Sequence, residues 1–99
     1  MIRGTTPTLE FSIPFDTGEI DEAFVTLSQN GTIILDKALS DCKCDDRKLS
    51  VRLSQEDTLK LSCDCSTEIQ VRIRTKAGDA LASDIVRVNT DRILKDGVI

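Results

Sequence analysis

The chain has 99 residues, 39% of them hydrophobic and 30% charged, a size and mix that fit one globular domain spanning residues 1–99. The formal net charge is −4 with basic residues scattered, which argues against a nucleic-acid partner, because neutralising phosphates takes a basic stripe. No apolar run has the length of a membrane-spanning helix, and there is no histidine, the commonest general base and metal ligand.

The aromatics are Phe11, Phe15 and Phe24, so the core must be built from Ile, Leu and Val. Leu9, Phe11, Ile13 and Phe15 alternate with polar residues or proline, which predicts a first strand with one buried face. Pro14 cannot donate to a ladder, so this strand lies at a sheet edge or changes sheet there. Asp16-Thr17-Gly18 reads as a turn. Strand-like runs at Ala23 to Gln29 and Thr32 to Lys37 flank Asn30-Gly31, the strongest short hairpin signal, because both central residues of a type I′ turn need positive φ. A two-residue turn sets Leu27 opposite Ile34 and Ala23 opposite Ala38, with Phe24, Ile33 and Leu35 on the other face.

Leu49, Val51 and Leu53 make a fourth strand. Ser54 is placed to cap a turn of helix, with Glu56 and Asp57 at its positive end. Leu59, Leu61, Cys63 and Cys65 share one face of a fifth segment. Ile69, Val71 and Ile73 alternate with Gln70, Arg72 and Arg74, the clearest strand of the chain, and Ala77-Gly78-Asp79 turns it back. Ile85 to Asn89 is a seventh strand, and Thr90 to Lys95 a helical turn stopped at Gly97. About seven short strands separated by turn signals predict an all-β fold, an antiparallel immunoglobulin-like β-sandwich with two sheets roughly 10 Å apart.

All four cysteines fall in two Cys-x-Cys pairs, Cys42/Cys44 and Cys63/Cys65. Following the strands up and down brings both pairs to the same end of the domain. Three readings stay open: free thiols acting as small core residues, a zinc site with Cys42, Cys44, Cys63 and Cys65 as thiolate ligands, or cross-loop disulfides. Cys-x-Cys in an extended strand puts both sulfurs on one face several ångströms apart, unlike the Cys-x2-Cys knuckle of structural zinc sites. Asp41, Asp45, Asp46 and Asp64 lie nearby, but their spacing is not that of a calcium loop. No phosphate loop, nucleophile elbow or metalloprotease helix motif occurs, and no histidine is present to activate a thiol, so no enzyme activity is expected.

The run Ser54-Gln55-Glu56-Asp57-Thr58-Leu59-Lys60-Leu61-Ser62-Cys63 resembles the strand-entry segment of immunoglobulin variable domains. Leu61 stands where their corner tyrosine belongs, and the chain has no tryptophan. The opening Met1-Ile2-Arg3-Gly4-Thr5-Thr6-Pro7-Thr8, the segment Leu53 to Thr58 and the ending Ile93-Leu94-Lys95-Asp96-Gly97-Val98-Ile99 resemble small prophage-encoded proteins of Gram-positive bacteria. The strand pattern is also similar to the immunoglobulin-like N-terminal domain of phage baseplate upper proteins. These resemblances imply a non-enzymatic tail or baseplate accessory role, with other phage structural proteins or further copies of the chain as partners. They also imply residence in the bacterial cytoplasm during assembly, or in the virion. The opening residues carry no apolar core of a secretion signal, in line with that expectation. Val98 and Ile99 end the sequence on apolar side chains, which predicts that they bury against another subunit or dock on their own sandwich.

Overall fold

The computed structural model describes residues 1–99. In chain order the strands are β1 (Thr8–Ser12), β2 (Ile20–Gln29), β3 (Thr32–Ala38), β4 (Cys42–Asp45), β5 (Lys48–Arg52), β6 (Ser66–Thr75), β7 (Ala80–Ala82) and β8 (Val86–Asn89), with one short α-helix, α1 (Gln55–Leu59), and single 3-10 turns at Thr17–Glu19 and Leu39–Asp41. The chain is mostly antiparallel β, 51% strand, in two sheets. One sheet has the order β1-β5-β4. The other runs β3-β2-β6, and then β7 and β8 pair with opposite halves of β6. Because β2 occupies the other side of β6, β7 and β8 lie end to end and share one strand position.

The pair β2–β6 is the spine. Val25 lies opposite Val71, Ala23 opposite Ile73 and Leu27 opposite Ile69, all buried. Alternation along β6 sends Ile69, Val71 and Ile73 inward and leaves Arg72 and Arg74 in solvent. From the other sheet Leu49 and Val51 complete the core, joined by Ile13, Leu53 and Leu61 from the segments beside it.

Asn30 and Gly31 take positive φ, 51° and 77°, as the two-residue turn requires. Gln29 pairs with Thr32 and Ser28 with Ile33, and then the register shifts at Ile34. The expected facing pairs are therefore corrected: Leu27 lies opposite Leu35, and Phe24, not Ala23, lies opposite Ala38. One extra residue in β3 reverses the side on which its later side chains fall, so Leu35 enters the core while Phe24 and Ile33 stay outside.

Ser54 caps α1 as its type predicts. Its hydroxyl accepts from the Asp57 amide, and the Asp57 carboxylate accepts from the Ser54 amide. Lys37 adds an ion pair to Asp57 at 2.9 Å. Burial alone would raise the Asp57 carboxyl, but the Ser54 amide and the Lys37 ammonium outweigh it and hold it below the ordinary carboxylate range.

Two further expectations need correction, and two strands lie where none was expected. Leu59 to Cys65 is not a strand: Leu59 ends α1 and a loop follows to Ser66, because the capping box commits this stretch to a helical turn. Thr90 to Lys95 forms no helical turn; an isolated bridge from Ile2 to Asp91 and a bond from the Asp91 amide to the Met1 carbonyl hold it extended. Short strands occur at β4 and β7, where no alternation was legible.

Val71→Ala should destabilise the fold by about 1–3 kcal/mol through the cavity it leaves, and Arg72→Ala by under about 1 kcal/mol. Equal shifts in urea melts would contradict the assignment of faces. Asp57→Asn tests the capping box. The carboxyl titrates lower in the folded chain than the value of about 3.9 for a free Asp, so its stabilisation is complete above that pH and is lost as the pH falls through the folded value. The variant should be about 1–2 kcal/mol less stable at pH 7. Urea melts at several pH values should show its deficit shrinking once the pH drops below about 4.

Candidate functional site

The cysteine pairs do not meet. The Cys42 thiol lies 3.4 Å from the Ala38 carbonyl oxygen. Ala38 is level with Phe24, and Phe24 with Arg72. Cys65 immediately precedes Ser66, at the opposite end of β6. The stretch from Ser66 to Arg72 covers roughly 20 Å at about 3.3 Å per residue. From Cys42, β4 runs farther away still, toward the turn where the Asp46 carbonyl accepts from the Thr17 amide and hydroxyl. Thr17 precedes Ile20, which pairs with Thr75 at the far end of β6.

The expectation that both pairs share one end is therefore corrected. Its error lay in treating Leu59 to Cys65 as a returning strand, where the chain instead ends α1 and runs as a loop. Four thiolates on one zinc must lie within about 4 Å of each other, given Zn–S bonds of about 2.3 Å. This fold brings no group of three or more Cys, His, Asp or Glu together for a metal ion. All four cysteines are free thiols. Cys42 and Cys44 face Val51 and Leu49 across the β4–β5 ladder, Cys42 half-buried against the core and Cys44 exposed. Cys63 is exposed and Cys65 half-buried. Burial, with smaller contributions from Cys44, Asp41 and Glu22, pushes the Cys42 thiol up to about 11, so it stays protonated at neutral pH and is a poor nucleophile.

Val98 and Ile99 do not plug their own sandwich. The Gln55 side-chain amide donates to the Ile99 carbonyl and accepts from the Ile99 amide, at 3.0 and 2.8 Å, so the backbone is clipped to α1. Their side chains remain in solvent, Ile99 94% exposed.

The feature that the sequence did not disclose is the open side of the sandwich. The larger sheet has four strand positions and the smaller three. The chain passes from β3 to β4 through one short turn, and Cys42 touches Ala38, so β4 covers the β3 side. At the other side β1 is the last strand, and β7 and β8 have no strand above them. Leu81 lies opposite Ile73 and Val86 opposite Ile69, which turns both toward the interior. Yet they are 44% and 54% exposed. An apolar groove of about 340 Å³ results, lined by Phe11, Ile13, Phe15, Val71, Ile73 and Leu81 among others.

The rim of this groove is an unpaired backbone edge. Pro7 accepts through its carbonyl from the Leu53 amide, and the Ile13 amide donates to the Arg47 carbonyl. Odd-numbered residues of β1 therefore turn their backbone groups toward β5, and Thr8, Glu10 and Ser12 turn theirs outward. Pro14 lies just beyond this edge strand, in keeping with the expectation from sequence. Chemically the site offers main-chain donors and acceptors above an apolar slot, and no cluster of acid, base and nucleophile.

Alkylation with mass-spectrometric readout checks the placement of the cysteines. At pH 8 Cys42 should react on the order of 100-fold more slowly than a thiol with a pKa of about 8.5. Cys44 and Cys63 should label early because they are exposed. Equal rates at Cys42 and Cys44 would contradict the packing of β4.

Comparison with protein-family models, with curated proteins and with solved structures finds no match to this chain.

Proposed function

We propose that the protein is a non-enzymatic interaction module that works by assembly, accepting an extended segment of a partner beside β1. The observation that carries this reading is the vacant strand position: an unpaired edge at Thr8, Glu10 and Ser12 beside an apolar groove whose floor includes inward-facing but exposed Leu81. Strand addition uses these two components, main-chain hydrogen bonds for affinity and alternate side-chain pockets for specificity. The domain is read here as an immunoglobulin-like sandwich lacking one edge strand. Two facing antiparallel sheets with a common core support that reading. The resemblance of its sequence to prophage-encoded proteins makes a tail or baseplate accessory role the proposed setting, with other phage structural proteins as partners.

Site-specific photo-crosslinking in producing cells tests the proposal. A photoreactive amino acid at Ser12, on the rim of the groove, should yield a discrete adduct, and one at Lys43 on the opposite edge strand should not. Adducts only at Lys43 would move the interface to β4 and overturn the β1 assignment. No adduct at either position would count against docking through the edges of this sheet.

A further inference from the structure

The width and charge of the vacant position specify its occupant. We infer that it takes a single extended segment of another polypeptide, with a lysine or arginine opposite Glu10 and apolar residues on either side of it. This inference rests on the proposed docking at β1 and names the chemistry of the partner.

The occupant must be slender. Only one strand position separates β1 from the outer limit of the larger sheet. A second copy pairing its own β1 antiparallel with this one would sit on a two-fold axis normal to the sheet. Both larger sheets would then lie on the same side, and each overhangs its β1 by one strand. The β7 and β8 strands of both copies would claim the same space. The register that pairs all the outward residues also sets Glu10 opposite Glu10, and like charges directly opposite destabilise a ladder.

The occupant must also be patterned. Glu10 is the central residue of β1, exposed on the outer face of the sheet. It forms no ion pair within the chain. A neighbouring strand places one residue directly across from it, and a cation there gains a cross-strand partner. The residues before and after that cation point to the other face, one beside half-buried Leu9 and the other beside Phe11, which lines the groove with Leu81. The order apolar-basic-apolar follows from the pleat.

The test uses two synthetic peptides, acetyl-Ser-Val-Lys-Val-Ser-amide and its Glu-centred counterpart, titrated into the full chain and followed by backbone amide NMR. The Lys peptide should shift the Thr8, Glu10 and Ser12 amides and slow their exchange, and should bind at least about three-fold more tightly than the Glu peptide. Glu10→Lys, an exposed substitution that should leave the fold unchanged, should reverse that order. Equal binding of both peptides at β1 would overturn the basic code and leave strand addition standing. If neither peptide binds but sedimentation shows a dimer with protected β1 amides, the occupant is a second copy and the inference fails. If neither binds and the β1 amides exchange freely in a monomer, both the inference and the docking reading fail.

Discussion

Everything in this fold follows from covering one apolar stripe. Ala23, Val25 and Leu27 on β2 face the same interior as Ile69, Val71 and Ile73 on β6. A sheet with one apolar face is stable only when that face is buried against a second layer. Here the second layer is β1-β5-β4, three strands set against four positions. It covers β2 and β6 well: Leu49 and Leu53 are completely buried, as are Ala23, Val25 and Leu27. It does not reach Leu81 and Val86, although Val88 of β8 still packs against the core. Exposed Leu81 and Val86 are thus consequences of strand count, not of poor patterning within either strand.

The sheet edges are treated differently from one another. The β7–β8 edge is broken at its middle, where the Ser83 hydroxyl accepts from the Val71 amide in place of a ladder carbonyl. The Ser83 amide in turn donates to the Val71 carbonyl. An interrupted edge is a poor template for another chain. On β3 the register shift at Ile34 twists the strand, and Asp36 and Lys37 add charge. On β4 the charges are Lys43 and Asp45, with Asp46 in the turn beyond. Only β1 keeps a straight run of outward backbone groups beside an apolar slot. Pro7 and Pro14 bound that run, and they limit a visitor to a short segment.

Much of the fold was legible because period two is a strong signal where one face is buried. Leu9 to Ile13, Leu49 to Leu53 and Ile69 to Ile73 all lie where their alternation places them. The Asn30-Gly31 turn and the Ser54 cap were legible because each depends on local chemistry alone. The bulge at Ile34 was not, since Ile33, Ile34 and Leu35 are all apolar and any register satisfies the pattern. The same ambiguity misplaced the thiols: Leu59, Leu61, Cys63 and Cys65 alternate as a strand would, and the reciprocal bonds of Ser54 and Asp57 override that periodicity. The groove escaped notice for a different reason. It is a relation between two sheets of unequal width, and no single segment encodes it.

A slot of this kind could close if β1 slid toward β7, and the structure holds β1 against that movement. Its ends are tied to the neighbouring segments by the Leu53 amide at Pro7 and the Arg47 carbonyl at Ile13. Just before it, the Thr58 hydroxyl donates to the Thr5 carbonyl. The Arg3 guanidinium donates to the Leu59 and Leu61 carbonyls and also pairs with Asp96. These bonds reach Arg3 from α1, from the loop after it and from the C-terminal segment, so the approach to β1 is fixed from several sides. Gly4 is part of the same arrangement: its φ of 74° suits glycine, and a Cβ there would meet the Ile93 side chain at 2.9 Å. With β1 anchored and the larger sheet held by its β2–β6 spine, the vacant position is preformed. An incoming strand then bears the entropy of ordering itself, while the domain has little of its own to order, and preorganisation of this sort converts a small contact area into usable affinity.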